Sequence, residues 1–168
     1  VLGFFTWDDI APFDHNPNEY YREIDVEVSL WGNALDPDNS QYVIQPWDRP
    51  GNLQRYDIGA LENTVHTIEW LKDKINFVSF TEENSTPISS WAYNGVDLPE
   101  PGAENIRFNL WLMQQTNMEH EVVIKSFQFT YPMDAPNNVQ ASDGTDSTKI
   151  SISWNYPGSG TYFGVFRN

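Results

Sequence analysis

The sequence predicts an all-β protein, a sandwich or jelly roll built from short strands. Helical periodicity is missing, and short runs of β-branched and aromatic residues alternate with clusters of Pro, Gly, Asn and Asp. The aromatic fraction is 15%, with 7 Trp, 8 Tyr and 10 Phe. Such side chains fit a pleated, half-buried surface, and closely spaced turn residues end one strand and begin the next. Many strands of this length are the pattern of packed sheets.

In chain order, strands are expected near 1–7, 21–31, 41–47, 54–58, 64–71, 75–80, 105–113 and 121–131. The breaks are DHNPNE (14–19), NALDPDNS (33–40), DRPG (48–51) and VDLPEPGAEN (96–105). The polar stretch TEENSTPISS (81–90) reads as a mobile loop, and Asn84-Ser85-Thr86 within it fits a glycosylation sequon. From Asp134 the character changes to a Pro linker followed by short strand-like runs.

The net charge of −15 makes nucleic acid and anionic membrane surfaces poor partners, and its plainest use is solubility. No apolar run approaches the length of a membrane span. Cysteine is absent, so neither a disulfide framework nor a thiolate metal site is available. The histidines at 15, 66 and 120 show no zinc-ligand spacing. There is no Gly-rich phosphate loop and no Gly-x-Ser-x-Gly elbow. The aromatic side chains serve a β-rich core, and flat rings also stack on the apolar face of a pyranose.

The stretch REIDVEVSLW (22–31) carries the chemistry. Residues two apart on a strand share a face. Tyr21, Glu23, Asp25, Glu27, Ser29 and Trp31 then line one side, and Ile24, Val26, Val28 and Leu30 form a core face on the other. One explanation of the acidic row is the solvated face of an edge strand, where charge discourages aggregation. Edge protection usually favours Lys or mixed signs, and three acids repel without structural gain. The other explanation is glycoside hydrolysis, in which one carboxylate attacks the sugar carbon and a second protonates the leaving oxygen. Close like charges raise one pKa and leave the neighbour ionised. Glu23 and Glu27 have Cα atoms ~13 Å apart on a flat strand, so their side chains must lean together on a concave sheet.

EIDVE followed by WGN resembles the active-site strand of glycoside hydrolase family 16, the laminarinase and lichenase group of β-glucanases. NSQYVIQPWDRPGNLQRYDI, HTIEWLKDKINFVSF, IRFNLWL and EVVIKSFQFTYP resemble later stretches of that family in the same order, so the likeness covers 1–132. It implies a concanavalin-like jelly-roll β-sandwich and retaining endo-hydrolysis of a β-linked glucan, of β-1,3 or mixed β-1,3-1,4 type. Residue by residue, it implies Glu23 as nucleophile, Glu27 as general acid/base and Asp25 as the group that tunes Glu23. Gln45, Trp47, Asn109 and Trp111 match positions that face the sugar, and the alternation argument adds Trp31; for each Trp, burial in the core is the competing role. His66 and Trp70 are expected to pack structurally. The family's calcium-binding Asp has Lys125 in its place, so no metal and no cofactor is expected. The tail 135–168 resembles the opening of a fibronectin type III module in Ala135-Pro136, KISISW and TYFGVFRN, with a C-terminal hairpin of the main domain as the alternative.

The family carries several strands ahead of the acid strand, whereas 22 residues precede Glu23 here. Part of both sheets and one wall of the cleft are therefore expected to be missing, leaving strand edges that invite association with another chain or with further domains of the same chain. The expected partner is a polysaccharide, and the expected location is secreted or at the cell surface. Two rival readings are a non-catalytic carbohydrate-binding domain on the same sandwich and a structural extracellular domain.

Overall fold

Short alternating stretches bury one row of side chains each, and two sheets that face their apolar rows together form a core. In the computed structural model, which describes residues 1–10, 20–60, 63–82, 84–113, 119–130, 137–141 and 152–155, the chain forms two compact units, Val1–Val122 and Val123–Asn168. The first unit holds β1 (Leu2–Trp7), β2 (Ile24–Val28), β3 (Ser40–Ile44), β4 (Leu53–Tyr56), β5 (Thr64–Trp70), β6 (Ile75–Thr81), β7 (Asn84–Tyr93) and β8 (Asn105–Leu110). The protein is all-β, with a five-stranded sheet in the order β4-β3-β2-β1-β8 and a three-stranded sheet β5-β6-β7. Every pairing in both sheets is antiparallel. Among the described residues, no helix is long and apolar enough to cross a membrane.

The core lies between these sheets, as in a β-sandwich. Ile24, Val26, Tyr42, Ile44 and Tyr56 of the larger sheet meet Ile75, Phe77 and Tyr93 of the smaller one, all buried. Tyr42 stacks on Tyr56 at 4.4 Å and on Phe77 at 4.9 Å, and Phe77 stacks on Trp91 at 5.3 Å. Such rings bury large apolar areas and hold one another in offset geometry. Trp70 packs against this cluster and donates its indole N–H to the Pro99 carbonyl at 3.2 Å.

Within the second unit, β9 (Asn137–Ala141) pairs antiparallel with β10 (Ile152–Asn155). Ile152 lies opposite Ala141 and Asn155 opposite Asn137, with an irregularity between Ser153 and Asn155. The remaining residues of the fibronectin-like motifs, and the break at 14–19, lie outside the described residues.

Three strand expectations are corrected. The acid strand is five residues long instead of 21–31, because left-handed backbone brackets it: φ is 38°, 60° and 52° at Tyr20, Tyr21 and Arg22, and 49° at Trp31. The stretch read as a loop at 81–90 contains most of β7, which pairs with β6 along its length. Its polar composition hid an alternation in which Ser90 and Ala92 face out while Trp91 and Tyr93 turn inward. Conversely, residues 121–130 form no strand, and Val123, Phe127 and Phe129 are 69%, 55% and 62% exposed. Alternation assigns faces to a segment but supplies no partner strand to hydrogen-bond with it.

Candidate active site

β2 is the middle strand of the five-stranded sheet, so its acidic row does not protect an exposed edge. Asp25 is 3% exposed, and Glu23 and Glu27 are half-buried. Glu23 sits one residue before the strand and extends its ladder, since its carbonyl accepts the Gln45 N–H at 3.2 Å. The turn ahead of it is fastened from several sides. Thr6 donates its hydroxyl to the Arg22 carbonyl at 2.6 Å and accepts the Ile24 N–H at 2.9 Å. The Arg22 guanidinium meets the buried Asp8 carboxylate at 2.5 Å and donates to the Glu100 carbonyl at 2.8 Å. Left-handed backbone at three successive non-glycine residues persists only where surrounding structure holds it, and these bonds do so.

Directly paired residues of antiparallel strands share a face. Asp25 lies opposite Phe5 and Val43, and Glu27 lies opposite Gly3 and Gln41. Gly3 in turn lies opposite Asn109, and Gln41 opposite Arg55. The acid face therefore gathers Glu23, Asp25, Glu27, Gln41, Gln45, Arg55 and Asn109 from four of the five strands or their continuations. A Cβ on Gly3 would meet Asn109 Oδ1 at 2.7 Å, so the missing side chain lets the Asn109 amide lie across β1 beside Glu27.

Burial raises all three acidic groups. Glu23 is pushed up to about 7 by burial, with its hydrogen bond to Asp25 acting the other way and the Glu27 charge adding to the rise. Asp25 is held well above the ordinary range by burial and by the charges of Glu23 and Glu27. Glu23 and Asp25 interact directly, so the two carboxyl groups titrate as a linked pair. Glu27 is raised by burial against the opposing pull of Gln41, Arg55 and the Val1 amino group. Two amides of β3 and its continuation serve the row. Gln41 Nε2 donates to Glu27 Oε2 at 2.5 Å, and Gln45 Nε2 donates to Asp25 Oδ2 at 3.3 Å. The Gln45 oxygen accepts the Trp47 N–H at 3.0 Å, which turns its NH₂ toward Asp25.

The remaining candidates divide between the two ends of the acid row. Trp47 follows Gln45 at the Glu23 end and is 63% exposed. At the Glu27 end, the Trp111 N–H donates to the Val1 carbonyl at 3.0 Å, which continues the β1–β8 register and puts Trp111 on the acid face with Asn109. Trp31 is not on the acid strand as alternation placed it, but in the left-handed turn that follows. Its ring still meets Trp111, at 5.4 Å and 66°. Its buried indole N–H has no hydrogen-bond partner. Gln45 was expected to face the sugar, and its amide is engaged with Asp25. Sequence reasoning passed over Gln41 and Arg55, although the four-residue spacing of Gln41 and Gln45 places both on one face of a strand.

Among the described residues, no group of three or more His, Asp or Glu side chains gathers in a way that would hold a metal ion. The acid row can instead supply a carboxylate and a proton side by side, which is the equipment of acid–base and nucleophilic chemistry on a neutral substrate. No family model matches this chain, and no curated protein and no solved structure matches it significantly.

Proposed function

We propose that this protein is a retaining glycoside hydrolase that cuts within β-linked glucan, of β-1,3 or mixed β-1,3-1,4 linkage, on a jelly-roll scaffold like that of glycoside hydrolase family 16. The observation that carries the reading is the acid row itself. Three carboxyl groups, all raised by burial, share one face of a central strand, and Asp25 lies against Glu23 as a linked partner. A merely soluble surface has no use for that repulsion. Glu23 attacks the anomeric carbon as the glycosidic C–O bond breaks, and Glu27 delivers its proton to the departing oxygen. Glu27 then takes a proton from water, whose oxygen displaces Glu23 and regenerates the carboxylate. While Glu27 holds its proton, its charge no longer opposes ionisation of Glu23, so the two roles support each other.

The substrate class follows from the flanks. Trp47 at one end and the Trp31–Trp111 pair at the other offer rings to the apolar faces of successive pyranoses, which suits an extended polymer. A polymer of that size is met outside the cell, so the protein acts in secretion or at the cell surface. The tail 135–168 is read as a partial fibronectin type III-like module. The test is release of reducing sugar from laminarin and lichenan by the native chain and by Glu23→Gln. The variant should lose activity by about a thousandfold or more. Binding without release by the native chain would favour a carbohydrate-binding domain, and neither binding nor release would favour a structural one.

A further inference from the structure

Gln41 is 6% exposed and lies between Glu27 and Arg55 in register. Arg55 has only donors, so the Gln41 atom it touches must be the amide oxygen, and that contact is 3.0 Å from Nη1. With its oxygen fixed there, Gln41 turns its NH₂ to Glu27 Oε2, at 2.5 Å. Arg55 is fastened in turn. It donates to the Ser29 carbonyl at 3.1 Å, to Asp36 Oδ2 at 2.9 Å and to the Asp38 carbonyl. The result is an ordered chain, Asp36 to Arg55 to Gln41 to Glu27, in which every member has one sensible orientation.

We infer that Gln41, oriented by Arg55, keeps Oε2 of Glu27 as a hydrogen-bond acceptor and thereby confines the Glu27 proton to Oε1. The reason is chemical. In a protonated carboxyl group the carbonyl oxygen is the better acceptor and the hydroxyl oxygen the poorer, so a donor locked onto one oxygen drives the proton to the other. An acid with its proton on a fixed oxygen meets the leaving group in one geometry rather than two, which is where positioned proton transfer gains its rate. Gln41 and Arg55 are thus positioning residues. The rate consequence rests on the hydrolase reading above, and the proton placement does not.

The groups facing Glu27 are Gln41 and Arg55 on one side, the acids Asp25 and Glu23 along its own strand, the Val1 amino group, and Asn109 across the bare Gly3. The acids and the amino group are common to the native chain and a Gln41 variant, so the difference between their Glu27 titrations reports on Gln41. The experiment is a ¹³C-carboxyl NMR titration of the full chain labelled at glutamate, with Glu27→Gln to assign the signal. Gln41→Met should raise the Glu27 midpoint by about one pH unit, since a bond to the charged form is lost. Arg55→Lys keeps the positive charge but not the planar fork, and should move the midpoint the same way if orientation is what matters. On substrate, Gln41→Met should lower kcat about tenfold or more with KM within about twofold. A Glu27 midpoint that stays within about 0.3 unit in Gln41→Met overturns the inference, and an unmoved midpoint in Arg55→Lys removes Arg55 from it. The titration is made without substrate, so a native chain that releases no sugar would sink the hydrolase reading alone.

Discussion

The five-stranded sheet buries polar groups on both faces, and the two clusters differ in kind. On the core face, Tyr42, Tyr56 and His66 converge on the hydroxyl of Ser79 at 2.7, 2.9 and 2.8 Å, joining the two sheets. A serine hydroxyl has one donor and two acceptor sites. Its three neighbours match that capacity: Tyr42 donates to Ser79, and Tyr56 and His66 Nδ1 share the remaining two places. The far ring nitrogen of His66 meets Thr64 Oγ1 at 3.0 Å. This cluster is neutral and complete. On the other face, Glu23, Asp25 and Glu27 repel one another and are held above their ordinary pKa range by burial. Polar groups kept for stability satisfy each other; groups kept for chemistry retain a proton and a charge to spend on something else. Breaking each cluster should therefore change stability in opposite directions.

The largest stability effect is expected at Ser79. Ser79→Val has similar volume but leaves His66 Nδ1 buried without its partner, while Tyr42 keeps the Ser89 carbonyl at 3.2 Å and Tyr56 keeps Tyr42 and Ser40. One such group costs about 1–3 kcal/mol. Urea unfolding should show that loss, with no change in substrate affinity. A loss below about 0.5 kcal/mol would mean that the hydroxyl is not the node joining the sheets.

Protonation sharpens the contrast, because the clusters respond to pH with opposite sign. Burial lowers His66 from 6.5 to about 4. The unfolded chain binds that proton first, so stability is full above about 6.5 and falls by about 3 kcal/mol as pH drops toward 4. Glu23 is raised from 4.5 to about 7, so the stability linked to its proton is full below 4.5 and is lost as pH rises through 7. Because Glu23 is only half-buried, solvent screening reduces that loss to about 1–2 kcal/mol. Glu23→Gln should thus be more stable than the native chain at pH 8 by about that amount, and nearly equal to it at pH 4. Urea midpoints at the two pH values decide it. A variant less stable at pH 8 would show that Glu23 is a structural partner and would remove the functional meaning of the acid row.

These contrasts were partly legible in the sequence. The acid row and its apolar reverse were, because alternation needs only the spacing of Glu23, Asp25 and Glu27 against Ile24 and Val26. Their place in the middle of a sheet was not, since pairing partners lie far along the chain and Phe5 opposite Asp25 leaves no local sign. Strand ends were hidden for a related reason: left-handed backbone at Tyr20, Tyr21, Arg22 and Trp31 is imposed by tertiary bonds on residues that carry no turn propensity. β7 was missed because Ser, Thr and Pro dominate its composition, although Trp91 and Tyr93 set its inward face. Gln41 and Arg55 were invisible as site residues, for their role arises only when β3 and β4 are laid beside β2 in one register.

The smallest stability change should come from Trp47. Its backbone N–H is fixed by Gln45, and the turn beyond is closed by Asn52, which donates to the Pro46 carbonyl at 3.1 Å and to Asp97 Oδ2 at 2.9 Å. Arg49 adds an ion pair to Asp97 and lies over the Tyr20 ring at 5.4 Å. The loop is thus held by groups other than the indole, which is 63% exposed. Trp47→Ala removes a ring that contributes little to the fold, so unfolding free energy should change by no more than about 0.5 kcal/mol. Affinity for a glucan oligosaccharide, read by calorimetry, should fall about tenfold, the weight of one aromatic platform. Unchanged affinity would take Trp47 out of the binding face, whereas a stability loss above about 1 kcal/mol would make it a packed residue and erase the distinction between a frame that folds and a ring left over for binding.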